Sequence, residues 1–242
     1  SATISATVEK HNRQAHVELK INYPGANKVS LNASPLTKTR DILGLVTTVI
    51  FSPEDLDLVK GEPAARRRFI DELSTLLSPK FANTRSDFER TLKQRNTLLK
   101  SLGRRNPSSQ ARATLDAWDE QLIQYGSEII FTRLENIERI QPHVFDFGTT
   151  ISADTEPLHL SYTNTWLPPQ VRDKTEIASY YKTELENRSK DEVERGATLV
   201  GPHRDDVNIE LSEMPAKGYA SHGQSWSIAI ALRLAAFKTL RE

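Results

Sequence analysis

The chain has 242 residues, 26% charged and 37% hydrophobic, which suits one large globular domain or two modest ones with ample core material. No apolar run approaches the ~18–20 residues that span a bilayer, the first residues lack the basic and apolar regions of a secretory signal, and the chain has no cysteine. Disulfides, zinc knuckles and thiol chemistry are therefore excluded, and the pattern fits a cytoplasmic protein with no membrane partner.

Residues 16–22 alternate apolar and polar, Tyr23-Pro-Gly-Ala-Asn27 supplies turn residues, and residues 28–33 alternate again, which predicts a β-hairpin. Val46-Thr-Thr-Val-Ile-Phe51 is β-branched at almost every position and predicts a buried strand that ends at Pro53. Pro63 suits the first turn of a helix carrying Phe69, Ile70, Leu73, Leu76 and Leu77, with Arg66, Arg67 and Arg68 just ahead. A second helix is predicted over 85–102. A third carries Leu115, Trp118, Leu122, Tyr125 and Ile129 in a two-heptad seam. With the polar loop 103–109 between them, the two form an antiparallel helical arm. Beyond Pro142 the pattern predicts short strands over 143–162, a proline-rich loop at 167–169, a charged helix over 176–195, strands at 197–200 and 207–211, and a last helix from about Ser225.

The net charge of zero hides a separation. Residues 60–112 carry 13 Lys/Arg against 5 Asp/Glu, and residues 113–195 carry 8 against 16. Polyanion-binding proteins separate charge in this way, and so do two helix faces that pair with each other.

Two stretches carry candidate chemistry. Ser221, Gly223 and Gln224 form a small polar turn opening the last helix, where free N–H groups and the positive dipole end favour an anion. Their Ser-x-Gly-Gln order resembles the signature loop of ABC-type ATPases, which contacts the γ-phosphate of a nucleotide held by a second subunit. An ordinary serine N-cap is the plain alternative. In Gly201-Pro-His-Arg-Asp-Asp206, Arg204 could bind phosphate and Asp205 or Asp206 a divalent ion, or the stretch is a polar turn with an internal ion pair. His203 has no partner at zinc-ligand spacing. No glycine is followed by lysine, so a phosphate-binding loop is missing, as is an apolar strand ending in paired acids.

Ser52-Pro-Glu-Asp-Leu56, Arg67-Arg-x-Phe-Ile-Asp71, Lys93-Gln-Arg-Asn96, Gly201-Pro-His-Arg-Asp205 and Ser221-His-Gly-Gln224 occur in an order that resembles the RecF family, in its actinobacterial spelling. The resemblance implies an α/β fold, mixed α+β in this stretch: part of an ABC-type ATPase head with an inserted helical arm. It divides the chain into a β-rich head remnant (1–59), an arm (60–195) and a signature region (196–242). Because family members carry a phosphate loop and a magnesium-binding acidic strand, the chain reads as an internal fragment that alone should neither bind ATP tightly nor hydrolyse it. The whole protein would use ATP and Mg²⁺, form an ATP-dependent homodimer and bind DNA at gaps or single/double-strand junctions. With RecR- and RecO-type partners it would assist RecA loading in repair, recombination, replication and the SOS response. Ser221, Gly223 and Gln224 would contact the γ-phosphate in trans, and Arg204 would stabilise phosphate charge. Arg66, Arg67, Arg90, Lys93, Arg95, Arg104 and Arg105 would meet DNA phosphates. A coiled-coil interaction adaptor and a phosphohydrolase using His203, Asp205 and Asp206 with a metal are the rival expectations.

Overall fold

The computed structural model describes residues 1–10, 13–42, 48–103, 107–151 and 157–242, which divide into two compact units, 1–48 and 49–242. The first unit is an antiparallel meander of β1 (Ala2–Lys10), β2 (Arg13–Ile21), β3 (Lys28–Leu31) and β4 (Ser34–Pro35), with Ala2 opposite Ile21 and Val17 opposite Leu31. The predicted hairpin is β2–β3. Strand β1, absent from the predicted elements, alternates Ala2, Ile4, Ala6 and Val8 with polar residues, a strand pattern whose side chains are nonetheless almost all exposed.

The second unit runs α1 (Leu56–Lys60), α2 (Pro63–Leu77), α3 (Lys80–Leu102), α4 (Ser109–Ile151), β5 (Leu158–Thr163), α5 (Lys174–Arg195), β6 (Asp206–Leu211), β7 (Met214–Pro215), α6 (Ala216–Tyr219) and α7 (His222–Thr239). Strands β5, β6 and β7 form an antiparallel sheet in that order. Its inner face, Leu158, Leu160, Val207 and Ile209, packs with Ile70 and Leu73 of α2, Ile140 and Val144 of α4, and Ile228 and Leu232 of α7. This core joins residues from 60–195 with residues from 196–242, so the arm and the signature region share one packed body.

Helix α4 is the spine, 43 residues long and thus roughly 65 Å. It runs through Pro142, where a break was expected. A proline inside a helix costs ~3 kcal/mol, but Ile140 and Val144 on either side are fully buried against the core, and that packing holds the helix together. Helices α3 and α4 are antiparallel, since Arg95 meets Asp119 and Thr91 meets Gln121 as the two chains run past each other. A second core forms where Phe88, Leu122, Ile129, Tyr181 and Leu185 of α3, α4 and α5 meet. Gly126 of α4 permits this close approach, because a Cβ there would strike the Tyr181 ring.

Of the short strands predicted over 143–162, residues 143–151 instead continue α4, and two further predicted strands are absent among the described residues. Of Val46–Phe51, residues 46 and 47 lie outside the described residues and 48–51 have no strand structure. Residues 197–200 are irregular because side chains take up their backbone groups: Asn96 accepts from the Thr198 amide at 2.7 Å and Glu192 from the Leu199 amide at 2.7 Å.

Candidate functional site

The Ser221–Gln224 turn is a capping box. The Ser221 hydroxyl accepts from the Gln224 amide at 3.2 Å, and the Gln224 side-chain oxygen accepts from the Ser221 amide at 2.8 Å. Residues 221 to 223 are exposed. A Cβ on Gly223 would meet nothing within 4 Å, so no contact among the described residues requires glycine there. Beside the turn the His222 ring accepts from the Trp226 indole at 3.1 Å and lies 3.3 Å from the Lys60 ammonium, while Phe51 packs edge-on against Trp226 at 5.6 Å.

The motifs distant in sequence converge on the scaffold that carries this turn. Asp55 caps its own turn by accepting from the Ser52 amide at 2.9 Å, and also receives the Arg233 guanidinium of α7 at 2.6 Å. The Ser-Pro-Glu-Asp run thereby anchors α7. Arg66 of α2 grips Asp206 with two hydrogen bonds, at 2.9 and 2.7 Å, and its remaining nitrogen donates to the Gly61 carbonyl. Arg67 donates to the Asp205 carbonyl at 2.7 Å. Asp71 receives Arg133 of α4 through two bonds, at 2.8 and 3.0 Å, and Arg133 also donates to the Pro202 carbonyl at 2.7 Å. The Arg-Arg-x-Phe-Ile-Asp and Gly-Pro-His-Arg-Asp-Asp runs are therefore two halves of one buried clasp. The Lys-Gln-Arg-Asn run forms another: Arg95 reaches Asp119, Glu192 and Thr198, and Asn96 holds Thr198.

This geometry corrects part of the DNA-contact expectation. Arg66 and Arg95 are 6% and 2% exposed and engaged by internal carboxylates, so neither reaches a surface phosphate. Arg67 is half-buried, Arg90 and Lys93 are exposed on α3, and Arg104 and Arg105 lie outside the described residues. Arg204 is exposed and contacts the Thr198 carbonyl at 3.2 Å, beside Arg188 and Arg195 of α5; among the described residues no hydrogen bond or ion pair links it to the Ser221 turn. Arg133, Tyr162, Glu192 and Arg233 belong to the clasps without having been singled out from the sequence. The metal-hydrolase alternative loses its ligands, since Asp206 is taken by Arg66 and Asp205 accepts from the Tyr162 hydroxyl at 2.6 Å. Among the described residues no His/Cys/Asp/Glu cluster could hold a metal ion.

Burial raises Asp205 to about 6, while burial, reinforced by Arg204 and Arg67, lowers His203 to about 4. The signs oppose. A raised carboxylate contributes stability that is present below pH ~4 and lost as pH rises through about 6; a depressed histidine contributes stability present above pH ~6.5 and lost as pH falls through about 4. Between pH 4 and 6 the two slopes, each roughly 1.4 kcal/mol per unit, cancel. In His203→Gln only the aspartate slope remains. Relative to wild type, its urea-unfolding free energy should fall as pH rises from 4 to 6. Parallel pH profiles for the two proteins would refute this pairing.

No protein-family profile matches the chain. The chain is 45% identical over 243 residues to the DNA replication and repair protein RecF of Streptomyces avermitilis, and 44% identical over 244 residues to that of Cutibacterium acnes. These alignments cover 99% and 95% of the chain. It superposes on a solved structure of the recombination mediator protein RecF-ATPrS in the RecFOR pathway with a TM-score of 0.91 and 28% identity, over 99% of the chain. A RecF-ATP structure from the same pathway gives 0.87 and 29% over 95% of the chain. The chain belongs to the RecF family. It spans 65% and 62% of the length of the two curated RecF relatives, and 63% and 60% of the two solved RecF chains. The mixed helix-and-strand fold is that of RecF, and in this chain the five ordered motifs serve largely as scaffold.

Proposed function

We propose that the chain forms part of a RecF-type DNA repair ATPase that dimerises around ATP, binds DNA at gaps or single/double-strand junctions and assists RecA loading with RecR- and RecO-type partners. The observation that carries this reading is the exposed capping box. Ser221 and Gly223 stand at the mouth of an 18-residue helix whose dipole favours an anion. Glycine near a helix start costs up to ~1 kcal/mol against alanine, and among the described residues no close contact compensates for it at Gly223. A ligand that must approach the backbone closely would do so. The residues fit a γ-phosphate presented by a second subunit: a hydroxyl at Ser221, an unobstructed amide at Gly223, and Gln224 holding the turn in shape. When bound, ATP with Mg²⁺ supplies the phosphate charge that such a turn recognises. The adaptor alternative is weakened because its seam is spent internally: Leu115, Leu122 and Ile129 are buried within the chain.

DNA contact is assigned to the exposed cations of α3. Changing Arg90 and Lys93 to glutamate should weaken binding to a gapped duplex and reduce the slope of log K against log salt by about 1.8, since each lost phosphate contact removes ~0.9. Fluorescence anisotropy across a salt series measures this. An unchanged slope would leave these residues as a solvated helix face.

A further inference from the structure

Lys60, the last residue of α1, stands beside the Ser221 turn although 162 residues separate it from His222. The core places it there. Leu58 and Val59 of α1 are buried with Ile228 and Leu232 of α7, and Arg66 fixes the end of α1 by donating to the Gly61 carbonyl at 3.0 Å. Lys60 itself is exposed and makes no ion pair among the described residues. The carboxylates near it in the chain do not neutralise it. Glu62 pairs with Lys217 at 3.1 Å and Asp55 with Arg233 at 2.6 Å, while Asp57 makes no ion pair among the described residues.

The contact between Lys60 and His222 is a meeting of two donors. An indole nitrogen can only donate, so the bond from Trp226 at 3.1 Å leaves the Nε2 atom of His222 without a proton. The neutral ring then carries its proton on Nδ1, the atom 3.3 Å from the Lys60 nitrogen. An ammonium has three donors and no acceptor. No hydrogen bond can therefore join the pair directly, and a group with lone pairs is needed within reach of both. Water supplies the lone pairs, but only an anion also neutralises the lysine. His222 follows Ser221 and precedes Gly223, so an acceptor shared with Lys60 sits at the mouth of α7, where the helix dipole favours negative charge. The number of donors decides between anion classes. The Lys60 ammonium, the His222 ring, the Ser221 hydroxyl and the Gly223 amide are more than the two oxygens of a carboxylate can serve, whereas a terminal phosphate presents three.

We propose that Lys60 and His222 complete the contact of the Ser221 turn with the terminal phosphate of a nucleoside triphosphate held by a second subunit, and that Lys60 supplies its one full positive charge. This inference rests on the reading of that turn as a phosphate contact in trans.

The test titrates inorganic tripolyphosphate into the 242-residue chain at low salt and follows the His222 ring resonances by NMR, identified by their absence in His222→Gln. A saturable shift is expected. The affinity should fall about tenfold in Lys60→Met, because a charge-assisted hydrogen bond is lost. It should return to within about threefold of wild type in Lys60→Arg, which restores the charge but not the shape of the ammonium. Lys182→Met, which removes an exposed lysine of α5, should leave it unchanged. Because Lys60 is exposed, its substitution leaves the fold intact, which circular dichroism verifies. Ser221→Asp separates this inference from the reading it rests on. Binding lost in Ser221→Asp but unchanged in Lys60→Met overturns the proposal and leaves the phosphate reading standing. Binding that depends on Lys60 and is indifferent to Ser221→Asp overturns both. Equal weakening in Lys182→Met would mark diffuse surface charge and overturn the proposal. So would the absence of a saturable shift in the wild-type chain, with water then joining the two donors; the phosphate reading would still be decided by ATP-induced dimerisation in Ser221→Asp.

Discussion

Arg133→Met is expected to destabilise the 49–242 unit by about 3–5 kcal/mol, the usual cost of breaking a buried ion pair from one side. The loss has three parts on one side chain: two hydrogen bonds to Asp71, at 2.8 and 3.0 Å, and one to the Pro202 carbonyl at 2.7 Å. Arg133 and Asp71 are 4% and 6% exposed, so water cannot replace these partners without opening the core. Most of the cost comes from the aspartate left charged and unpaired, not from the net worth of the pair. The double variant Arg133→Met with Asp71→Leu should therefore recover most of the stability. Urea denaturation followed by circular dichroism measures both. A single substitution costing less than about 1 kcal/mol, the range of an exposed pair, would mean that the clasp between α2 and the 201–206 loop does not hold this unit together.

That clasp also explains what was legible in the sequence and what was not. The apolar spacing placed α2, α3 and α5 within a few residues of where they lie, and α4 as far as Pro142 but not its last turns, because those helices bury one stripe each. The same spacing held a warning about the arginines. Arg66 precedes Phe69, Ile70 and Leu73 by 3, 4 and 7 positions, so it shares their buried face; Arg95 stands 7 after Phe88 and 4 before Leu99, both buried. Counting charge along the segment assigned these two residues to DNA, whereas their phase on the helix assigns them to the interior. Arg133 gives the same signal, 4 positions from both Ile129 and Ile137. Their carboxylate partners could not be found this way. Asp206 is 140 residues from Arg66 and Glu192 is 97 from Arg95, and only the tertiary fold brings them together. The short hairpins failed for a local reason. Asn32-Ala33 and Ser212-Glu213 make tight turns with positive φ at both residues, and three of those four residue types do not advertise such a turn. The Ser221 turn was found because its residues perform a local task, and the capping box is complete within four residues.

Restored to a chain of the length of its RecF relatives, Ser221→Arg should leave ATP binding by each monomer within about twofold while abolishing both ATP-induced dimerisation and hydrolysis. The argument is steric and electrostatic. Ser221 and Gly223 are exposed, and among the described residues a Cβ on Gly223 would meet no atom within 4 Å, which leaves room for an anion at the helix mouth. A guanidinium on a long side chain would occupy the place where the partner's γ-phosphate would sit. That variant also removes the helix cap, which costs ~1 kcal/mol, so a second variant separates the two effects. Ser221→Asp keeps an N-cap as good as serine and suits the helix dipole, yet sets a negative charge against the phosphate. The aspartate variant should melt within about 0.5 kcal/mol of wild type and still fail to dimerise on ATP. Light scattering with and without ATP reads the dimer, a fluorescent ATP analogue reads monomer binding, and urea unfolding reads the cap. If Ser221→Asp dimerises on ATP as wild type does, the turn is a helix cap and nothing more. If stability and dimerisation are lost together in the aspartate variant, the effect belongs to the fold of α7. Loss of the dimer at unchanged stability is the outcome that only a contact in trans produces.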